Sequence, residues 1–356
     1  MAPPTVSVLL PVRNGERFLA QALDSLIAQR GIDFEIIAID DGSSDAAPAV
    51  LARYAALYHC LRLATGEGRG ISHALNLGLA LARGRYIARM DADDIAFPDR
   101  FAVQSRHLDQ HPAVGVLGTQ ALRIDVDGVS RGRIRVPTGQ RRVRAALAIS
   151  SALIHPTVMM RREPLLAVGG YRSLFDGAED YDLWLRFSEF TELDNLAEPW
   201  LWCRRHDAQV STRHALRQAQ RSALALVTHG FRQSGIADPL AEGQSLGGWR
   251  QAFAAVDPVS VARVHALTVA ALVDNSGSLR PRGSAYLLAI CKAVNGWRGD
   301  RRLAQRIALA CVRHQLQLLR NRRWREVLTC LFDHLVSCHL QLVRAYFVHT
   351  SILWRS

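Results

Sequence analysis

Short apolar runs and amphipathic stretches alternate along the first half of the chain. "TVSVLLPV" (5–12) is apolar and β-rich. "FLAQALDSLIAQ" (18–29) then sets Phe18, Leu19, Ala22, Leu23, Leu26 and Ile27 on one helical face. "FEIIAIDDGSSD" (34–45) reads as a second strand ending in acids and turn residues. "AAPAVLARYAAL" is helical, "CLRLAT" a short strand, "GISHALNLGLALARG" a helix closed by Gly84, and "RYIARM" the next strand. This alternation with short links predicts a doubly wound, mostly parallel α/β sheet covered by helices on both faces. Ligands of such sheets collect at the carboxyl ends of the strands. Asn14, Asp40, Asp41 and an aspartate cluster beginning at Asp91 fall at those ends.

Beyond about residue 215 the β-type patterning stops. "DPVSVARVHALTVAALVDN", "GSAYLLAICKAV" and the long run from Leu303 to Val343 favour helix, punctuated by Gly and Pro. Residues 1–214 are therefore expected to form the α/β domain and 215–356 a helical domain or extension. A chain of 356 residues suits two domains.

Charge changes this picture. The formal net charge is +12, which points to an anionic partner: nucleotide, nucleic acid or membrane surface. Lys292 is the only lysine, so the basicity is almost wholly arginine, a bias that a GC-rich genome can also produce. The six cysteines show no C-x-x-C pair, which argues against a zinc site or a disulfide framework. No secretory leader and no run of about 18 uninterrupted apolar residues is found, so a soluble or peripheral cytoplasmic protein is expected.

Four aspartates crowd "YIARMDADDIAFPDR" (86–100). Like charges at 4 Å repel by about 4 kcal/mol at an effective dielectric near 20, so something must compensate them. Asp94 or Asp99 is expected to cap the following helix. Asp91 and Asp93 straddle a strand end and suit a hard divalent cation, which takes one or two carboxylates plus substrate phosphates. In "IDDGSSD", Asp40 and Asp41 could start a turn, with Ser43 or Ser44 capping the next helix. A carboxylate there could equally accept a pyrimidine N–H or a ribose hydroxyl. In "FDGAEDYDLWLRF" (175–187), Leu183, Trp184 and Phe187 form a helix core, and Glu179, Asp180 and Asp182 sit in its first turn. They either favour the helix dipole or include a general base, Asp180. The glycines of "VGGYR" suit a loop that lets a ligand come close. Arg204, Arg205 and His206 read as an exposed basic loop, and His155 as a packed histidine.

Together and in this order, these stretches resemble the family-2 glycosyltransferases of the GT-A fold. The matching pieces are "SVLLPVRNGERFLAQALDSLIAQ", "EIIAIDDGSSD", "RGISHALNLGLALARGRYIARMDADDIAFPDRF", "IHPTVMMRRE", "GGYR", "EDYDLWLRF" and "RRHDAQVS", covering about residues 5–212. The resemblance implies inverting transfer from a nucleotide-activated sugar, of the uridine type, to a glycan or lipid-linked acceptor. By position it implies that Pro11, Val12, Arg13, Asn14 and Asp41 line the nucleoside pocket and that Arg69 lies near the donor phosphates. Asp91 would face the ribose or sugar, Asp93 would hold Mg²⁺ or Mn²⁺, and Asp180 would be the base. His155, Glu179, Arg205 and His206 are acceptor-side or phosphate candidates. Processive members carry Q-x-x-R-W, whereas "RNRRWRE" (320–326) has Arg320 where Gln is required, so a single-sugar enzyme is expected.

A pyrophosphorylase would need a glycine- and arginine-rich loop after the first strand, and "PVRNGERF" lacks it. A dehalogenase-type hydrolase would place D-x-D-x-T/V at that strand. A basic membrane- or nucleic-acid-binding module without transfer activity is the non-enzymatic alternative, although no nucleic-acid partner is expected. Eight arginines from Arg301 to Arg325, unopposed by acids and interleaved with Leu303, Ile307, Ala310, Leu318 and Leu319, suit docking on an anionic membrane surface. An ordinary helical subdomain fits the same pattern.

Overall fold

The computed structural model describes residues 3–148, 150–206, 215–241, 248–256, 260 and 264. The chain divides into two compact units, Met1–Thr212 and Arg213–Ser356.

In the first unit, strands and helices alternate as β1 (Val6–Val12), α1 (Glu16–Ile27), β2 (Phe34–Asp40), α2 (Ala47–Leu57), β3 (Leu61–Thr65), α3 (Ile71–Leu81) and β4 (Tyr86–Arg89). Then come β5 (Ile95–Ala96), α4 (Arg100–Gln110), β6 (Val114–Ile124), β7 (Ser130–Ile134) and α5 (Gln140–Leu147). The last elements are β8 (Met159–Arg161), α6 (Arg162–Ala167), α7 (Glu179–Phe187) and β9 (Glu192–Arg204). One sheet runs β3-β2-β1-β4-β8-β6-β9-β5, with β7 added beside β6. Pairing is parallel across β3-β2-β1-β4 and between β6 and β9, and antiparallel where β8 joins β4 to β6. Most of the ladder is thus parallel, and its central strands are buried on both faces, which is why they read as continuous apolar runs.

Helix α1 buries Phe18, Leu19, Ala22, Leu23 and Leu26, the face read from the sequence. Two helix starts lock each other: the Glu16 N–H donates to Asp45 Oδ2 (2.9 Å), and the Ala46 N–H donates to Glu16 Oε2 (2.7 Å). Ser43 and Ser44 do not cap α2; both are bonded to Asn14 in the turn after β1. Asp99 stands at the N-cap of α4 without a side-chain hydrogen bond, and Asp94 is buried elsewhere. The second unit shows helices Ala215–Gln233 and Trp249–Val256, with Phe253 meeting Phe231 and Trp249 edge-on. The later stretches expected to be helical, the arginines from Arg301 to Arg325, "RNRRWRE" and Cys291, Cys311, Cys330 and Cys338 lie outside the described residues. No helix among the described residues is long and apolar enough to cross a membrane.

At the opposite end of the sheet from the acidic cluster, buried Glu35 fastens β2 to the chain leaving α3. It accepts from Ser7 Oγ (2.7 Å), Arg62 Nη1 (3.1 Å), Arg83 Nη2 (2.8 Å) and the Arg83 N–H (2.9 Å). Burial alone would raise its pKa, but these donors outweigh that and hold it down to about 2. A depressed carboxylate stabilises the fold above its unfolded pKa, and that stability disappears as pH falls through the folded value. Glu35→Gln should therefore cost about 2–3 kcal/mol at pH 7. The difference from the parent should close between pH 4.5 and pH 2 when both are unfolded by urea across that range.

Candidate active site

The turn after β1 is shaped by Asn14, whose φ of +53° lies in the left-handed region that asparagine tolerates. Its Oδ1 accepts from the Ser44 N–H (2.7 Å), and its own N–H donates to Ser43 Oγ (3.0 Å). Beside this turn, buried Asp41 receives the Gly70 N–H on Oδ2 (3.0 Å), with Arg13 Nη1 at 3.9 Å from the same oxygen. Its Oδ1 is buried with no hydrogen-bond partner. Gly70 has φ +103°, and a Cβ there would collide with Asp176, whose Oδ1 accepts the Ser72 N–H (3.2 Å). Two carboxylates from distant loops thus hold the start of α3 and fix where Arg69 emerges. Arg69 is exposed and lies near Glu67 (3.4 Å) and His73 (3.3 Å).

At the end of β4, Asp91, Asp93 and Asp94 bring carboxylate oxygens within 4.8 Å of one another. Part of their compensation is built into the protein. Arg89 lies beneath Asp91 at 2.5 Å, with side-chain exposures of 3% for the arginine and 36% for the aspartate. Burial pulls the Arg89 pKa down, but the Asp91 carboxylate outweighs it and keeps the guanidinium charged. His206 Nε2 lies 2.9 Å from Asp93 Oδ2. Asp94 accepts the Arg204 N–H (2.8 Å), while the Arg204 guanidinium donates to the Asp93 carbonyl and to Gln21 and lies over the Phe18 ring. Arg100 is fully buried; it donates to the Arg89 carbonyl (2.9 Å), and desolvation lowers its pKa to about 9. Burial, then repulsion from Asp91, still pushes Asp93 up, and Asp94 rises well above the usual range for the same reasons. Asp94 Oδ2 is buried without a partner. An all-oxygen, over-charged cluster of this kind fits a hard divalent cation such as Mg²⁺ or Mn²⁺.

The second centre is the start of α7. Asp180 accepts from Ser151 Oγ (3.3 Å) and from the Tyr181 N–H (2.7 Å). Burial raises its pKa. Glu179 is buried, accepts the Gly177 N–H (2.5 Å) and lies 3.8 Å from His155 Nδ1. Burial, then the Asp180 charge, raises Glu179 to about 7. His155 is held well below its usual pKa by burial and by the Arg89 charge, so it is neutral. Its Nε2 lies 3.0 Å from the Tyr171 hydroxyl. Asp182 is not a surface dipole partner: it is fully buried and paired with Arg172 and with Arg186 (2.9 Å). That pairing fixes the rotation of α7 and the direction of its first turn.

The structure therefore groups Arg13, Asn14, Asp41 and Arg69 at one position, Asp91, Asp93 and His206 at a second, and Asp180, Glu179 and His155 at a third. Pro11 belongs to β1, and Val12 packs in the core and reaches Asp41 only through its carbonyl (2.8 Å). Arg205 is exposed, and its N–H donates to the Ile124 carbonyl (2.9 Å). Arg204 is not part of an exposed loop, being almost fully buried. Of the "VGGYR" glycines, Gly170 leaves room for protein, since a Cβ there would stand 2.6 Å from Asn76 Oδ1, whereas a Cβ on Gly169 would meet open space. Arg89, Arg100, Ser151, Tyr171 and Asp176 were not singled out from the sequence. Arg89 alone carried a signal, as a lone charge in a strand buried on both faces.

Acidic clusters at the strand ends and a second carboxylate pair, both acted on by Arg89, suit a group-transfer enzyme. The Glycosyl transferase family 2 model matches residues 7–169. The amylovoran biosynthesis glycosyltransferase AmsE of Erwinia amylovora is 32% identical over 183 residues, spanning 51% of this chain and 68% of AmsE. EpsE of Bacillus subtilis is 35% identical over 190 residues, spanning 52% and 67%. The O-antigen biosynthesis glycosyltransferase WbnJ of Escherichia coli is 30% identical over 224 residues, spanning 62% and 84%. The chain belongs to glycosyl transferase family 2 and is a glycosyltransferase. Among solved structures, S. aureus TarS 1–349 in complex with UDP-GlcNAc superposes with TM-score 0.58 at 16% identity, covering 94% of this chain and 93% of that one. The mannosyltransferase PcManGT from Pyrobaculum calidifontis, in complex with GDP-Man and Mn²⁺, gives 0.52 at 20% identity, covering 94% and 87%. These likenesses establish the GT-A fold.

Removing one member of a buried ion pair costs about 3–5 kcal/mol when the charge left behind cannot reach water. Asp91→Ala strands Arg89 in the interior, whereas Arg89→Met leaves Asp91 partly solvated. Urea unfolding should show the aspartate variant to be the less stable; the reverse order would mean Arg89 draws its counter-charge from elsewhere.

Proposed function

We propose that the enzyme moves one sugar from a uridine-type nucleotide-diphospho-sugar to a glycan or lipid-linked acceptor, with inversion and without processivity. The observation that carries this reading is the pair of separate carboxylate centres, Asp91–Asp93 and Glu179–Asp180, with one buried cation, Arg89, acting on both. The names of AmsE and WbnJ support a role in extracellular polysaccharide or O-antigen assembly. The ligands of TarS and PcManGT support a nucleotide-sugar donor. Work at the cytoplasmic face of an anionic membrane follows from a lipid-linked acceptor.

In this mechanism the unpartnered Oδ1 of Asp41 accepts an N–H of the base, with Arg13 and Asn14 closing the pocket. Arg69 meets the phosphates, and Asp91 the ribose or sugar. Asp93, with Asp91 beside it, would hold Mg²⁺ or Mn²⁺, which would supply Lewis-acid neutralisation of diphosphate charge. A sugar hydroxyl is a weak nucleophile, so Asp180 takes its proton as attack proceeds opposite the leaving group, which inverts the anomeric centre. Ser151 orients that carboxylate. Neutral His155 and a partly protonated Glu179 limit further charge near it.

Asp180→Asn keeps the shape but cannot accept a proton. Transfer should fall roughly 10²–10⁴-fold while Mn²⁺ and nucleoside diphosphate still bind by calorimetry. A rate near the parent's would remove Asp180 as base. Asp93→Ala should instead abolish Mn²⁺-dependent diphosphate binding, and normal binding would overturn its assignment.

A carboxylate base works only when deprotonated, and burial raises Asp180. In the parent, the transfer rate should therefore fall on acidification at a pH above the ordinary aspartate value of about 4. That acid limb should be missing from the residual rate of Asp180→Asn in a pH–rate profile.

A further inference from the structure

Residues 1–212 hold 24 arginines against 25 aspartates and glutamates, so this unit is close to neutral. The charge is nonetheless sorted within it. Residues 128–162 contain eight arginines and no acid. Codon bias raises the total of arginine but does not separate it from the acids, and ordinary solvated surfaces intersperse the two signs. Six of the eight fall on two consecutive elements and are exposed: Arg131, Arg133 and Arg135 on and after β7, and Arg141, Arg142 and Arg144 on α5.

Alternation along β7 puts Arg131 and Arg133 on one face, and Arg135 follows directly after the strand. Helix α5 buries Val143 and Leu147, which leaves its arginines in solvent. The two sets border one strand: Arg133 reaches across to the Ala197 carbonyl of β9, and α5 packs on β9 as well. Among the described residues, Arg131 is the only one of the six in an ion pair, with Asp125 at 2.6 Å. At the tip of the β6–β7 hairpin, Val129 is 51% exposed.

We propose that this strip docks the enzyme on an anionic phospholipid surface, with Val129 entering the interface. The proposal rests on the lipid-linked acceptor put forward above. An extended patch on two elements matches a charged plane, whereas a single diphosphate would engage only one or two arginines. A single-stranded nucleic acid is disfavoured because residues 128–150 contain no aromatic side chain on which bases could stack. The strip is tied to the site: the Leu147 carbonyl at the end of α5 accepts the Tyr181 hydroxyl (2.6 Å), and Ser151 a few residues on bonds Asp180. A bilayer held by α5 therefore presents its acceptors beside the base.

The test uses the full chain with phosphatidylcholine vesicles with and without one-third phosphatidylglycerol, in low salt and in 0.5 M NaCl. Each arginine near an anionic surface is worth roughly a fivefold change in partition. The triple variant Arg141→Gln/Arg142→Gln/Arg144→Gln should therefore bind anionic vesicles about 100-fold more weakly, and the corresponding triple Lys variant should bind like the parent. Donor hydrolysis in solution should be equal in all three proteins, which checks that they fold and separates the two readings. If the parent hydrolyses no nucleotide-sugar, the functional reading fails with or without docking. If hydrolysis is normal and the Gln variant binds vesicles like the parent, the strip is not the docking face. Equal binding of the parent to neutral vesicles, or to polyuridylate in place of vesicles, would overturn the proposal as well.

Discussion

The site depends on a charge buried where charges are expensive. Arg89 closes β4, a strand covered on both faces, and its guanidinium lies under Asp91 rather than in water. Without it, the Asp91–Asp93–Asp94 cluster would lose the counter-charge that lies directly beneath Asp91. With it, the cluster retains one fixed counter-charge at all times, and Arg100 and Arg204 supply two more around Asp94. The same guanidinium lowers His155 and acts on Glu179 and Asp180. In a low-dielectric interior such influence is weakly screened. The strand-end carboxylates and the candidate base therefore share an electrostatic environment although about 90 residues separate them in the chain.

The β1-to-β4 half of the fold was legible because its signals are local. Apolar runs marked the strands, the 3.6-residue spacing marked α1, and glycine and acid clusters marked the strand ends. The second half was less legible. β8 is three residues long and antiparallel, and its place between β4 and β6 depends on partners far away in sequence. Caps were misjudged for a related reason. Ser43, Ser44 and Asp94 have the chemistry of helix caps, but each finds a long-range partner that local spacing does not reveal: Asn14 for the serines and the Arg204 N–H for the aspartate.

The candidate acids were found through unusual local density, whereas their supports were invisible for the opposite reason. An arginine among many arginines carries no mark, and only burial distinguishes Arg100, Arg186 and Arg204 from the rest. Asp182 shows the same ambiguity from the acidic side. In the sequence it belongs with Glu179 and Asp180 as first-turn charge, yet in the fold it is an interior anion held by Arg172 and Arg186. Asp182 fixes the helix, and with it the position of the neighbouring first-turn carboxylates Glu179 and Asp180.

Arginine thus has two uses here that overall charge does not separate. The buried guanidiniums each meet carbonyls or carboxylates of the site and could not be neutral residues without leaving those groups unpaired. The six on β7 and α5 stabilise nothing comparable in the fold: five form no ion pair among the described residues, and the helix that carries three of them is anchored by Val143 and Leu147. Concentrating like charge on adjoining elements costs folding stability through self-repulsion. The carboxylates that balance the unit's net charge do not relieve it, because many of them are gathered at the strand ends around the site. A neutral unit sorted into an acidic cluster at the strand ends and a basic strip on β7 and α5 gains nothing in stability from the sorting, so the arrangement is better explained by binding than by the fold that both share.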